Sequence, residues 1–164
     1  MKIIIFLFTF TYAAYSVAAP TIDDSTALFY TEKVKENTYV SQLVKNKEKW
    51  IYILSQIESG NNDWLNVAQS LREHTDASAT RGLIYAVSFA LKNSPNNVLS
   101  ILGDKYSVKE VCGSPFIEED IEYELGFLKA LRKKVMYSSY KGNGNQKKTC
   151  LKNIDHQIDM FKDF

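Results

Sequence analysis

The 164-residue chain has few of the residues that punctuate or cross-link a fold: 3 Pro, 7 Gly and 2 Cys. So little Gly and Pro excludes collagen-like and low-complexity chains. A surplus of either charge is lacking too, with 20 Lys and Arg against 19 Asp and Glu. The single excess is Lys2, the only charge in the first eighteen residues, and the rest is balanced. A globally basic nucleic-acid binder is thereby disfavoured, since neutralising phosphates needs a clustered positive surplus. What remains, 45% hydrophobic and 24% charged residues, is the make-up of one globular domain.

The N-terminus reads as an address. Lys2 is followed by an apolar run from Ile3 to Ala14 and then by Tyr15-Ser16-Val17-Ala18-Ala19-Pro20. A positive start, a short apolar stretch and small residues are the three parts of a secretory signal peptide. Ser16 and Ala18 fit the small-residue sites, so residues 1–18 are expected to be removed. Cleavage would leave 19–164 as a single domain with a loose arm over 19–27. The rival reading, a permanent anchor, needs a longer span of about 20 residues. The expected compartment is the bacterial periplasm or the outside of the cell, through Sec-type export with cleavage near Ala18. In that oxidising setting Cys112 and Cys150 are expected to form a structural bridge.

The periodicity is helical almost throughout. Trp50, Ile51, Ile53, Leu54 and Ile57 follow a 3.6-residue period that Gly60-Asn61-Asn62 ends. Trp64, Leu65, Val67, Ala68 and Leu71 form a second apolar face, and Leu83 to Leu91 a third. Ser94-Pro95 is a helix start, and Ser107-Val108-Lys109-Glu110 has the spacing of a reciprocal capping box. Ser114-Pro115 is expected to open the longest helix, over about 116–138. A flexible connector over 140–145 then leads to a last helix from about Gln146. No alternating strand pattern occurs. The fold class is all-α, an irregular helical bundle or a short stack of helical hairpins (47–73 and 76–102), pinned by one disulfide.

Asp63-Trp64-Leu65-Asn66-Val67-Ala68, Thr75-Asp76-Ala77, and Ala90-Leu91-Lys92-Asn93-Ser94-Pro95 with Val98-Leu99 resemble small exported helical proteins of proteobacteria that are functionally uncharacterised. The resemblance covers residues 60–102 and the Cys112-Gly113 turn. It implies a helical fold and export, and it carries over no catalytic residue.

Little here suggests chemistry. Glu58-Ser59-Gly60 at a helix end, with Arg81-Gly82-Leu83 further on, resembles elements of lysozyme-like lytic transglycosylases. That likeness implies Glu58 as a general acid with a pKa raised by an apolar setting. The two elements stand 23 residues apart, and the Tyr-Asn-Ala-Gly element is absent. His74 and His156 lie far apart and in no two-ligand spacing, so no metal site is expected. His74-Thr75-Asp76 reads as capping, His156 with Asp155 and Asp159 as a solvated face, and no cofactor motif is present.

The charge layout is more telling. Five acids fall within 118–124, while 125–154 holds no acid and eight basic groups: Lys129, Arg132, Lys133, Lys134, Lys141, Lys147, Lys148 and Lys152. Tyr137 and Tyr140 interleave them. Such a field seeks an anionic surface, on an acidic protein or at membrane headgroups. The expected role is an exported, non-catalytic, protein-binding module, of inhibitor or immunity type by fold-level analogy. Its partner-binding residues are Lys133, Lys134, Tyr140, Lys141, Lys147 and Lys148. Neither nucleic acid nor a stable membrane anchor is expected. The alternative is a divergent peptidoglycan-cleaving enzyme that uses Glu58.

Overall fold

Most helices begin where the sequence offers a side-chain acceptor. The computed structural model describes residues 25–116, 120–142 and 144–161, and nine helices occur among them. The expected export segment and most of the expected arm lie outside these residues. Thr26 accepts from the Phe29 N–H at 3.3 Å and opens α1, Ala27–Lys33. Just ahead of it, the Tyr52 hydroxyl donates to the Ser25 carbonyl at 2.8 Å. Helix α2, Asn37–Lys45, follows without a side-chain cap. Asn46, Asn61 and Asp76 cap α3 (Lys47–Glu58), α4 (Asn62–Arg72) and α5 (Ala77–Asn93) by accepting from the N–H groups of Lys49, Asp63 and Ala79. Each satisfies a donor that the first helical turn would leave unpaired.

Pro95 starts α6, Pro95–Ile101, but Ser94 does not cap it through its side chain; the hydroxyl donates to the Ser59 carbonyl at 3.4 Å instead. Ser107 and Glu110 form both arms of the capping box at α7, Val108–Val111. The box holds a single turn, as the following Gly113-Ser114-Pro115 implies.

The longest-helix expectation needs correction at its start. Ser114-Pro115 does not open it: α8 is Ile121–Met136, with Asp120 accepting from the Glu122 and Tyr123 N–H groups. The Ser114 N–H is instead donated to Gln157 at 2.8 Å, and Phe116 enters a ring cluster with Tyr85, Phe89, Tyr123 and Phe127. These contacts hold the non-helical 112–116 segment against its neighbours. The last helix, α9, is Gly144–Met160 and starts two residues earlier than expected.

Helix α5 is the axis of the core. Ala79, Leu83, Ala86, Val87, Ser88, Ala90 and Leu91 are all buried, and the helix touches α3, α4, α6, α7 and α8. Gly82 faces Trp50 and Leu54 on α3, while Asn93 donates to the Glu58 carbonyl. Thus α3 and α5 run side by side in the same direction, with α4 as the return. The α8–α9 hairpin packs against this layer, and Cys112–Cys150, with its Cα atoms 5.2 Å apart, staples α9 to the end of α7. The chain is an all-α bundle pinned by a disulfide.

Candidate functional site

The expected partner-binding residues lie at the end of α8, on the 137–142 connector and at the start of α9, beside two open grooves that share no lining residue. One, of about 580 Å³, is lined by Asn93, Pro95 and Asn96 on one side and by Ala130, Lys133, Lys134 and Tyr137–Ser139 on the other. The second, of about 780 Å³, runs along α9 and is lined by Tyr140, Lys147, Lys148, Leu151, Lys152 and Asp155 among others. Lys133 and Lys134 therefore border the first groove, and Tyr140, Lys147 and Lys148 the second. Lys141 is exposed on the connector and borders neither.

The connector is better fastened than its Gly and Asn content suggests. Lys147 Nζ donates to the Ser138 carbonyl at 2.7 Å, and Asn96 Nδ2 to Ser139 Oγ at 2.9 Å. The Tyr140 hydroxyl donates to Gln146 Oε1 at 2.5 Å, and Gln146 Nε2 donates to the Leu102 carbonyl at 2.6 Å. Two of the six expected contact residues thus direct their polar ends inward. Lys147 and Tyr140 shape the face, while Lys133, Lys134, Lys141 and Lys148 present charge to solvent.

Their charge is uncompensated. Arg132 is gripped by Asp155 through both carboxylate oxygens, which locks α8 to α9. Lys129, Lys133, Lys134, Lys141, Lys148 and Lys152 have no ion-pair partner among the described residues. Elsewhere four cations are matched, in Lys33–Glu36, Lys35–Glu32, Arg72–Glu110 and Lys105–Glu73, while Lys45, Lys47, Arg81, Lys92 and Lys109 are scattered along other helices without an ion-pair partner among the described residues. Sequence reading missed Asn93, Pro95 and Asn96, which come from the distant α5–α6 junction. Lys152 stood in the basic run, and its place one turn beyond Lys148 on α9 was the available signal.

Glu58 has a different setting. It ends α3, half-buried, and burial raises its carboxyl above the usual 4.5. Around it the backbone is clasped: Asn93 donates to the Glu58 carbonyl at 2.8 Å, and Asn97 to the Gly60 carbonyl at 2.9 Å. Gly60 takes φ +73°, and a Cβ there would stand 2.5 Å from that of Ser94. The Glu-Ser-Gly letters thus form a left-handed helix exit docked on the α5–α6 corner. Glu58 borders none of the grooves described here, and Gly82 packs at Trp50 and Leu54, a turn or more before it.

Asp76 caps α5, and the Thr75 and Thr80 hydroxyls bond at 2.8 Å, while His74 and His156 are exposed. Among the described residues no group of three or more His, Cys, Asp or Glu could hold a metal ion.

The fold and the site define a disulfide-stapled helical protein with a lysine-rimmed, grooved face. No protein-family model, no curated protein and no solved structure matches the chain.

Proposed function

We propose that this is an exported, non-catalytic helical module that binds an acidic protein in the periplasm or outside the cell. The observation that carries the reading is unpaired charge beside a groove: Lys141, Lys148 and Lys152 have no ion-pair partner among the described residues, and the groove that Lys148 and Lys152 line also offers Tyr140 and Leu151. Positive charge around an apolar floor favours a partner that brings carboxylates at the rim and apolar side chains at the centre. The fastened connector lowers the ordering cost of binding. An inhibitor or immunity-type role belongs to this class. Export is supported by the disulfide and by the signal-like N-terminus, and no helix among the described residues is long and apolar enough to cross a membrane.

The test is affinity isolation from envelope and secreted fractions. It compares the wild type with a Lys141→Glu/Lys148→Glu/Lys152→Glu variant of equal helicity. The same partner should be held by the wild type at low salt, be released at high salt and be absent from the variant. Equal recovery by both proteins would sink the reading.

One observation favours the enzyme alternative: burial moves the Glu58 carboxyl upward, the direction a general acid requires. Digestion of purified peptidoglycan by the wild type, lost in Glu58→Gln without unfolding, would establish it. No digestion removes it.

A further inference from the structure

A second surface lies along α8 and does not rest on the reading above. The groove between α8 and the α5–α6 corner continues toward the N-terminal end of α8. There Phe89, Lys92, Glu122, Tyr123, Gly126, Phe127 and Ala130 line a depression of about 250 Å³. Ala130 borders both this depression and the 580 Å³ groove, so the two form one trough along α8. Its floor at Gly126 is bare: nothing stands within 4 Å of where a Cβ would project. Tyr123 and Tyr137, 58% and 74% exposed, rise at its two ends. Large exposed aromatics beside an open floor are what a helix-sized occupant would cover.

The charges on the α8 wall reverse. Glu122 lines its beginning, across from Lys92 of α5, whose ammonium lies 5.5 Å from the centre of the Phe127 ring, and Lys133 and Lys134 line its end. None of Glu122, Lys133 and Lys134 has an ion-pair partner among the described residues. A helix that fits must carry cations opposite Glu122 and an anion opposite Lys133 and Lys134. Helix α8 itself, laid antiparallel, has that pattern.

We propose that the occupant is a second copy of this chain, joined through antiparallel α8 helices about a two-fold axis midway between Gly126 and Ala130. That axis sets Glu122 against Lys134 of the second copy and Tyr123 against Lys133 of the second copy, each pair occurring twice. Gly126 then meets Ala130 of the second copy, and these small residues let the two helices approach closely. Lys133 over the exposed Tyr123 ring adds a cation–π contact. The matched span, Glu122 to Lys134, is about 18 Å long. A contact of that length is smaller than a standard interface, so the dimer is weak, with a Kd of about tens of micromolar. Lys133 and Lys134 are engaged within the dimer. Lys141, Lys148 and Lys152 stay free for the acidic partner, so each surface can fail without the other.

Sedimentation equilibrium of the purified protein tests the assignment. At about 50 mM salt the average mass should rise with concentration from one chain toward two, and about 500 mM salt should weaken the association severalfold. Lys134→Glu sets like charges against Glu122 and should raise Kd about tenfold or more. Adding Glu122→Lys to it restores opposite charges and should bring Kd back to within about threefold of the wild type. Far-UV circular dichroism should be the same for all three proteins. The proposal is overturned by a one-chain mass for the wild type at about 500 µM, tenfold and more above the assigned Kd. An unchanged Kd in Lys134→Glu, or no recovery in the double variant, also overturns it.

Discussion

Arg72 and Glu110 form a 2.7 Å ion pair that fastens the end of α4 to the capping box of α7. One Glu110 oxygen takes the guanidinium, and the other accepts from both the N–H and the hydroxyl of Ser107. Arg72 also donates to the Lys105 carbonyl at 3.1 Å and lies 5.7 Å from the centre of the Tyr106 ring. Tyr106, fully buried, donates in turn to the Ala68 carbonyl at 2.9 Å. The loop between α6 and α7 is thus held on α4 by polar contacts as well as packing.

That arrangement predicts an acid-sensitive stability. Burial pushes the Glu110 carboxyl up, but the Ser107 donors and Arg72 outweigh it and hold the group below 4.5. The unfolded chain therefore takes up the proton first as pH falls. The stabilisation is complete above about the unfolded value and is lost as pH drops through the lower folded value. Arg72→Leu should cost about 2 kcal/mol at neutral pH and flatten the decline below pH 4.5, as measured by urea unfolding across pH.

Glu58 should behave in the opposite sense. Its raised pKa means that the folded protein binds the proton more tightly than the unfolded chain. Ionisation therefore opposes folding, and stability falls as pH rises through the folded value. Glu58→Gln should stabilise the protein slightly at neutral pH, by about a few tenths of a kcal/mol once solvent screening is allowed for. The gain should vanish in acid, below the unfolded pKa. Destabilisation at neutral pH would refute the assignment.

The disulfide closes a loop with a sequence separation of 38 residues. On the chain-entropy account its loss costs about 4 kcal/mol. Cys112→Ala/Cys150→Ala should therefore lower Tm by about 10 °C or more. Thermal melts with and without a reductant give the comparison, and the reductant should leave the double variant unchanged.

Ser88 is fully buried on α5, and its hydroxyl has no hydrogen-bond partner among the described residues. Ser88→Ala removes a desolvated polar group and puts the best helix former in its place. It should raise stability by about 1 kcal/mol in denaturant titrations. A loss would mean that the hydroxyl is satisfied in solution.

What was legible in the sequence is what acts within a few residues. Asp76 and Ser107 each meet an N–H three positions on, so the starts of α5 and α7 follow from local letters. The Cys112–Cys150 pairing followed from there being no other thiol. The start of α8 escaped because it is decided at long range: Gln157 of α9 takes the Ser114 N–H, and Tyr85 and Phe89 of α5 join Tyr123 and Phe127 of α8 around Phe116. The basic run located the candidate face. It could not show that Lys147 and Tyr140 would turn inward, because their acceptors, Ser138 and Gln146, are brought to them by the bend of the connector. The trough along α8 needed α5 for its other wall, and nothing near α8 in the sequence announces it.

The bridge has one more consequence, for the lifetime of the folded protein rather than its energy. Cys112 precedes α8, and Cys150 lies inside α9. A protease that cut the connector between these helices would make two polypeptides still joined as one covalent molecule. The nicked protein would keep both walls of the lysine-rimmed face, and shedding a fragment would take reduction as well as cleavage.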